Sequence, residues 1–124
     1  MDSVLKEGPR YRSIGFHSPT RGAHMRILIV GAGNAGRHLA AKLSEERHDI
    51  VIVDRDEAAL NEVASQLDIQ TVPGEGSSPR VLEKAGLAKT DLLVAVTDKD
   101  EVNILACAFA QAAGVPHKVA RVSN

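Results

Sequence analysis

Aromatic side chains are almost missing from this chain, which holds two phenylalanines, one tyrosine and no tryptophan in 124 residues. Proteins that grip single-stranded nucleic acid stack bases on aromatic faces, so that class of partner is excluded at the outset. A surplus of positive charge is missing too: 15 basic side chains face 16 acidic ones, for a formal net charge of -1. There is thus no electrostatic footprint for a nucleic-acid backbone or an anionic membrane surface. Cysteine occurs once, at Cys107, which rules out a disulfide framework and a Cys-based metal site and suits a reducing cytoplasm. No apolar run nears the roughly 20 residues of a membrane span, so direct insertion is not expected, and the N-terminus lacks the apolar core of a secretory signal.

Without aromatics the core must be filled by Val, Ile, Leu and Ala, the usual content of a buried parallel sheet. Residues 1–24 are rich in Pro, Gly, Ser and Arg and show no periodicity. They read as a disordered leader or expression remnant, with Met25 as the natural start. From Met25 onward short β-branched runs alternate with helical patterns. "RILIV", "DIVIVD", "IQTV", "DLLVAV" and "HKVARV" have the length and composition of strands. Between them, Ala35, Leu39 and Leu43, then Leu60, Val63, Ala64 and Leu67, then Val102, Leu105, Ala106 and Phe109, fall on helical stripes. Ser78, Pro79 and Gly86 carry the signals for capping, starting and stopping a short helix between the third and fourth strands.

Strict alternation of strand and helix implies right-handed crossovers. The fold expected over residues 25–124 is therefore a Rossmann-like, doubly wound parallel α/β sheet in three α/β/α layers. Its last strand stands so close to the end of the chain that the domain reads as truncated at its C-terminal end.

The stretch "RILIVGAGNAGRHLA" carries the chemistry. Gly31, Gly33 and Gly36 have G-x-G-x-x-G spacing, and the strand before and helix after are the context that gives this weak pattern meaning. Gly31 allows the tight turn, Gly33 lets a pyrophosphate approach the backbone, and Gly36 lets the helix lie close to the sheet. The helix N-terminus adds unpaired amides and partial positive charge. The same fingerprint asks for an acid at the end of the second strand, about 20 residues on, and Asp54 stands there. A carboxylate at that place accepts hydrogen bonds from ribose hydroxyls and repels a 2′-phosphate, favouring NAD or an adenine nucleotide over NADP. Arg55 beside it can stack on adenine or accommodate a 2′-phosphate. Asp54 with Glu57 also reads as a capping box for the following helix, and both roles are compatible.

Three further clusters sit at strand C-terminal ends, where open α/β sheets bind ligands. In "PGEGSS", Gly74 and Gly76 either let backbone approach an adenosine or simply make a turn. In "VTDKDEVN", Thr97 and Asp98 face the crevice, while Asp98 and Glu101 read equally as a capping box. Arg121 lies within the last strand, where a buried charge needs an anionic partner, either a ligand phosphate or a neighbouring acid. Cys107 sits in an apolar helix and reads as inert core.

Nothing in the sequence supplies catalysis. The histidines are scattered, no G-x-S-x-G elbow or metal-ligand spacing occurs, and the glycine loop lacks the Lys-Ser/Thr of a P-loop. A chain that binds a nucleotide without means to react it reads as a sensor, not an enzyme. The competing reading is the cofactor domain of an NAD-dependent oxidoreductase.

The segments "MRILIVGAGNAGRHLAAKLSEERHDIVIVDRDEAAL", "GEGSSPRVLEKAGL", "DLLVAVTDKDEVNILAC" and "KVARV" together resemble the TrkA-N family, the RCK/KTN-type nucleotide-binding domains of regulatory subunits in Trk potassium uptake. The resemblance spans Met25 to Asn124. It implies a cytoplasmic gating module that binds NAD(H), with ATP, ADP or AMP as alternatives. It also implies a homodimer or larger ring, held at the inner face of the membrane by a membrane-embedded potassium-translocating Trk subunit. Carried over residue by residue, Gly31, Ala32, Gly33, Asn34 and Ala35 would hold the pyrophosphate and Asp54 the ribose, with Gly36 and Arg55 as further residues of the cofactor site. Glu75 would lie beside the adenosine, Thr97 and Asp98 would line the far side, and Arg121 would complete the crevice.

Overall fold

The computed structural model describes residues 11–14 and 24–123. Six strands form one sheet: β1 (Tyr11–Ile14), β2 (Arg26–Val30), β3 (Asp49–Asp54), β4 (Gln70–Pro73), β5 (Leu92–Ala95) and β6 (His117–Arg121). Their order is β1-β6-β5-β2-β3-β4. The five strands β2 to β6 are parallel, with Ile29 opposite Ile52 on one side and Val94 on the other. β2 is thus the central strand, and the winding reverses direction between β2 and β5. That makes the expected doubly wound sheet.

Helices α1 (Asn34–Glu45), α2 (Glu57–Gln66), α3 (Pro79–Lys84) and α4 (Asp100–Ala112) fill the crossovers. Side chains alternate across each strand, so the sheet feeds two separate cores. One joins Ile27, Ile29 and Ile52 to Leu60, Val63 and Ala40 from α1 and α2. The other joins Leu28, Val30, Val53 and Leu93 to Leu82, Ala106, Cys107 and Ala110 from α3 and α4. The three layers follow.

Local signals place the ends. Ser78 accepts from the Val81 amide and Pro79 opens α3, while Gly86 at φ +88 stops it in the left-handed conformation. Two expectations need correction. The reading of residues 1–24 as an unpatterned leader fails at four residues, because Tyr11–Ile14 pairs antiparallel with β6, Tyr11 opposite Arg121. An exposed edge strand offers a row of unpaired backbone groups, and a short extended segment satisfies them with little demand on its side chains. The rest of that leader, residues 1–10 and 15–23, lies outside the described residues.

The second correction concerns the α4 stripe. Ala106 is buried and Val102 and Phe109 pack against the core as expected, but Leu105 is 43% exposed, and the other buried positions are Asn103, Cys107 and Ala110. Small side chains let α4 settle close to β5 and β6, and that gain outweighs burial of the bulkier face.

Candidate functional site

Of the three fingerprint glycines, two serve the protein's own packing and one does not. Gly31, at φ +119, turns the chain out of β2, and its amide donates to the Val53 carbonyl at 2.8 Å. A Cβ there would stand 3.0 Å from the Val96 backbone. A Cβ on Gly36 would lie 1.9 Å from the Gly31 carbonyl oxygen, so α1 can cross the turn only with glycine at this place. Gly33 is different: it has ordinary extended backbone, φ -78, and nothing within 4 Å of where its Cβ would be. It is the N-cap of α1 and brings no side-chain cap. The amides of Asn34, Ala35 and Gly36 beyond it have no acceptor among the described residues. The loop thus leaves a bare stretch of backbone with outward-facing donors at the positive end of a helix dipole, an arrangement suited to an anion.

Asp54 fastens this turn to the neighbouring strand. Its Oδ2 accepts from the Ala32 amide at 2.7 Å and its Oδ1 from the Asp56 amide at 2.8 Å. Each oxygen keeps a further lone pair, so the carboxylate can hold the turn and still accept from a hydroxyl. It does not cap α2: Asp56 does, accepting from the Ala59 amide at 3.2 Å, which corrects the Asp54–Glu57 capping reading by two positions.

A solvent-open crevice runs along the C-terminal ends of the strands. Val30 and Val53 form its floor, and Asp54, Arg55, Glu75, Thr97, Asp98 and Lys99 stand around it. Residues that follow three separate strands meet there, whereas none of Gly31, Ala32, Gly33, Asn34, Ala35 and Gly36 is among the lining residues. The Arg55 guanidinium reaches across to Glu75, Nη1 to Oε2 3.2 Å. Gly76 touches the floor, since a Cβ there would lie 2.1 Å from Val30 Cγ1. The glycines of "PGEGSS" thus include one that allows close approach and one, Gly74 at φ +146, that makes a turn.

The far wall is built by a residue the sequence reading passed over. Asn103 is fully buried in α4. Its Oδ1 accepts from the Thr97 amide at 2.9 Å and the Thr97 hydroxyl at 2.7 Å, and its Nδ2 donates to the carbonyls of Thr97 at 3.1 Å and Arg121 at 3.0 Å. One amide side chain thereby joins the β5 loop, α4 and the end of β6. The signal was present: an Asn in phase with Ala106, Cys107 and Ala110 is a polar group on a buried stripe and must be satisfied there. The Asp98–Glu101 capping box does not form, because α4 begins after Lys99 and Asp100 instead accepts from Ser123.

The remaining candidates divide. Ala32 is buried and Ala35 packs on the α1 core. Asn34 turns its side chain to the surface, where Oδ1 accepts from Arg37 Nη2 at 2.9 Å and Arg37 also pairs with Glu62. Arg121 ends β6 half-buried and does not line the crevice, so the expected buried charge is relieved by its place at the strand's end. Among the described residues no carboxylate pairs with it. A second buried cation went unremarked: Lys118 is 4% exposed and its Nζ donates to the Val115 carbonyl at 2.7 Å. Cys107 is buried, and burial pushes its thiol up to about 11, with Lys118 pulling weakly the other way. It is unreactive core. Among the described residues no group of three His, Cys, Asp or Glu could hold a metal, and no helix is long and apolar enough to cross a membrane.

With this geometry in place, comparison with known proteins is decisive at one level. The TrkA-N domain family matches residues 27–124. The chain belongs to that family. Among curated relatives, this TrkA-N domain is 48% identical over 99 residues to the Trk system potassium uptake protein TrkA of Halomonas elongata, covering 79% of this chain and 22% of the relative. It is 39% identical over 100 residues to a TrkA homolog of Archaeoglobus fulgidus, covering 81% and 22%. The chain therefore spans about a fifth of the length of these relatives. Among solved structures, the TrkA-N domain of the inner membrane protein ybaL from Escherichia coli superposes with a TM-score of 0.66 at 20% identity, covering 73% of this chain and 67% of that one. The GsuK channel bound to NAD gives a TM-score of 0.62 at 21% identity, covering 90% and 19%. These two likenesses establish the fold.

Proposed function

We propose that this TrkA-N domain is a regulatory nucleotide-binding module that takes NAD(H), with AMP, ADP or ATP as alternatives, and passes the bound state to a potassium-translocating membrane subunit of the Trk type. The observation that carries the reading is Gly33. Bare space stands above it and three unpartnered amides beyond it, at the reversal point of the sheet. A pyrophosphate fits this cradle, resting on the backbone and the helix N-terminus. Asp54 lies at the strand end where ribose hydroxyls are recognised. Support for the nucleotide comes from the NAD in the GsuK channel structure and from the AMP-bound form of the Kef C-terminal domain of Shewanella denitrificans. Support for the partner comes from the names of the TrkA relatives.

The fold by itself suits an oxidoreductase equally, since the enzyme WbmG of Bordetella bronchiseptica in complex with NAD also superposes, with a TM-score of 0.61. Family membership favours regulation. In the ring or dimer expected of such modules, the ligand would act by changing the shape of the module, and so the conductance above it. Isothermal titration of the protein with NAD, NADH, AMP, ADP and ATP tests the reading. Saturable binding of at least one is expected, and absence of heat with all five, confirmed by unchanged thermal melting, rejects it.

A further inference from the structure

Arg55 is the residue that, beside a ribose-binding acid, would welcome a 2′-phosphate, yet its guanidinium is already held by Glu75 from the loop after β4, Nη1 to Oε2 3.2 Å. Both side chains line the crevice, together with Asp54, Asp98 and Lys99. The charged groups there are three acids against two bases, so a further phosphate dianion entering at the ribose end meets a surplus of negative charge. It would also have to take Arg55 away from Glu75. We propose that the Arg55–Glu75 ion pair is a specificity element that turns away 2′-phosphorylated dinucleotides and reserves the crevice for ligands with a free 2′-hydroxyl. This rests on the nucleotide-binding reading above and says which nucleotides the same site refuses.

The pair suits the task because it is exposed, at 65% and 49% for the two side chains. Exposed pairs add little to stability, so its geometry answers to the crevice more than to the fold. Asp54 contributes one negative charge at the ribose end while its oxygens also hold the amides of Ala32 and Asp56. Glu75 supplies the second negative charge and occupies the one guanidinium placed to offset it.

The test is the ratio of NADPH to NADH affinity, measured by titration for the wild type, Glu75→Gln, and Glu75→Gln combined with Arg55→Ala. Glu75→Gln frees the arginine and should raise the ratio about tenfold, the scale of one charge-assisted hydrogen bond gained. The double substitution should return the ratio to near the wild-type value, because the gain runs through Arg55. An unchanged ratio in Glu75→Gln, or a gain that survives loss of Arg55, overturns the inference while leaving nucleotide binding intact. If the wild type binds neither NADH nor AMP, the proposed function fails and this inference fails with it.

Discussion

Valine at position 33 separates the site from the scaffold, because the two fates of a side chain there are so different. In the folded protein the new Cβ meets nothing within 4 Å, and the backbone at φ -78 is ordinary for valine. Two small terms act on stability. Valine is a poorer N-cap than glycine, a cost of about 1 kcal/mol, and the stiffer residue narrows the unfolded ensemble, a gain of about 0.4–1 kcal/mol. The net change stays within about 1 kcal/mol, so melting should shift by no more than about 8 °C. Binding is another matter. In the proposed site, an isopropyl group over Gly33 would stand where the pyrophosphate rests and keep it from the amides of Asn34, Ala35 and Gly36. Loss of two charge-assisted hydrogen bonds corresponds to about 3–6 kcal/mol, a weakening of a hundredfold or more. Isothermal titration with NADH and a thermal melt read both effects on one preparation. Gly36→Ala is the contrast: its Cβ would lie 1.9 Å from a fixed backbone carbonyl, so it should lower stability by about 1–3 kcal/mol. A Gly33→Val protein that keeps wild-type affinity would refute the cradle, and a Gly36→Ala protein as stable as wild type would refute the packing argument.

Three other outcomes are expected. Asn103→Leu strands the Thr97 amide and the carbonyls of Thr97 and Arg121 in a buried setting, which should cost about 2–5 kcal/mol in urea denaturation. Asp54→Ala frees the amides of Ala32 and Asp56 and should lower both stability and nucleotide affinity by about 1–3 kcal/mol, whereas a role confined to the ligand would leave urea denaturation unchanged. With the Cys107 thiol raised from 9.0 to about 11, the unfolded chain ionises first as pH rises. Stability should therefore fall between about pH 9 and pH 11, and Cys107→Ala should flatten that slope.

The parallel sheet was legible because β-branched runs such as "RILIV" and "DIVIVD" alternate with capped helical stripes, and each crossover has only one favoured hand. Asp54, Arg55, Thr97 and Asp98 were legible as crevice residues for a simpler reason: each ends or follows a strand, and strand C-terminal ends converge in such a sheet, whereas Glu75 came only from the family resemblance. What could not be read was partnership. That Asp54 spends its oxygens on two amides depends on how the glycine turn folds back over β3. The edge pairing of Tyr11–Ile14 depends on which backbone groups β6 leaves open, a property of the sheet and not of those four residues. The α4 stripe held at Val102, Ala106 and Phe109 and missed at Leu105, because periodicity weighs size, whereas close packing on β5 and β6 centred the buried face on Ala106, Cys107 and Ala110 and drew Asn103 inside with them.

Asn103 has one more implication, for the way this domain comes apart. Because a single carboxamide ties the Thr97 loop to the outgoing end of β6 through a helix between them, the end of β6 cannot peel away while that loop stays in register. Amide exchange at Thr97 and at the end of β6 should therefore share one opening event, and loosening of β6 is felt at once in the wall that faces the crevice.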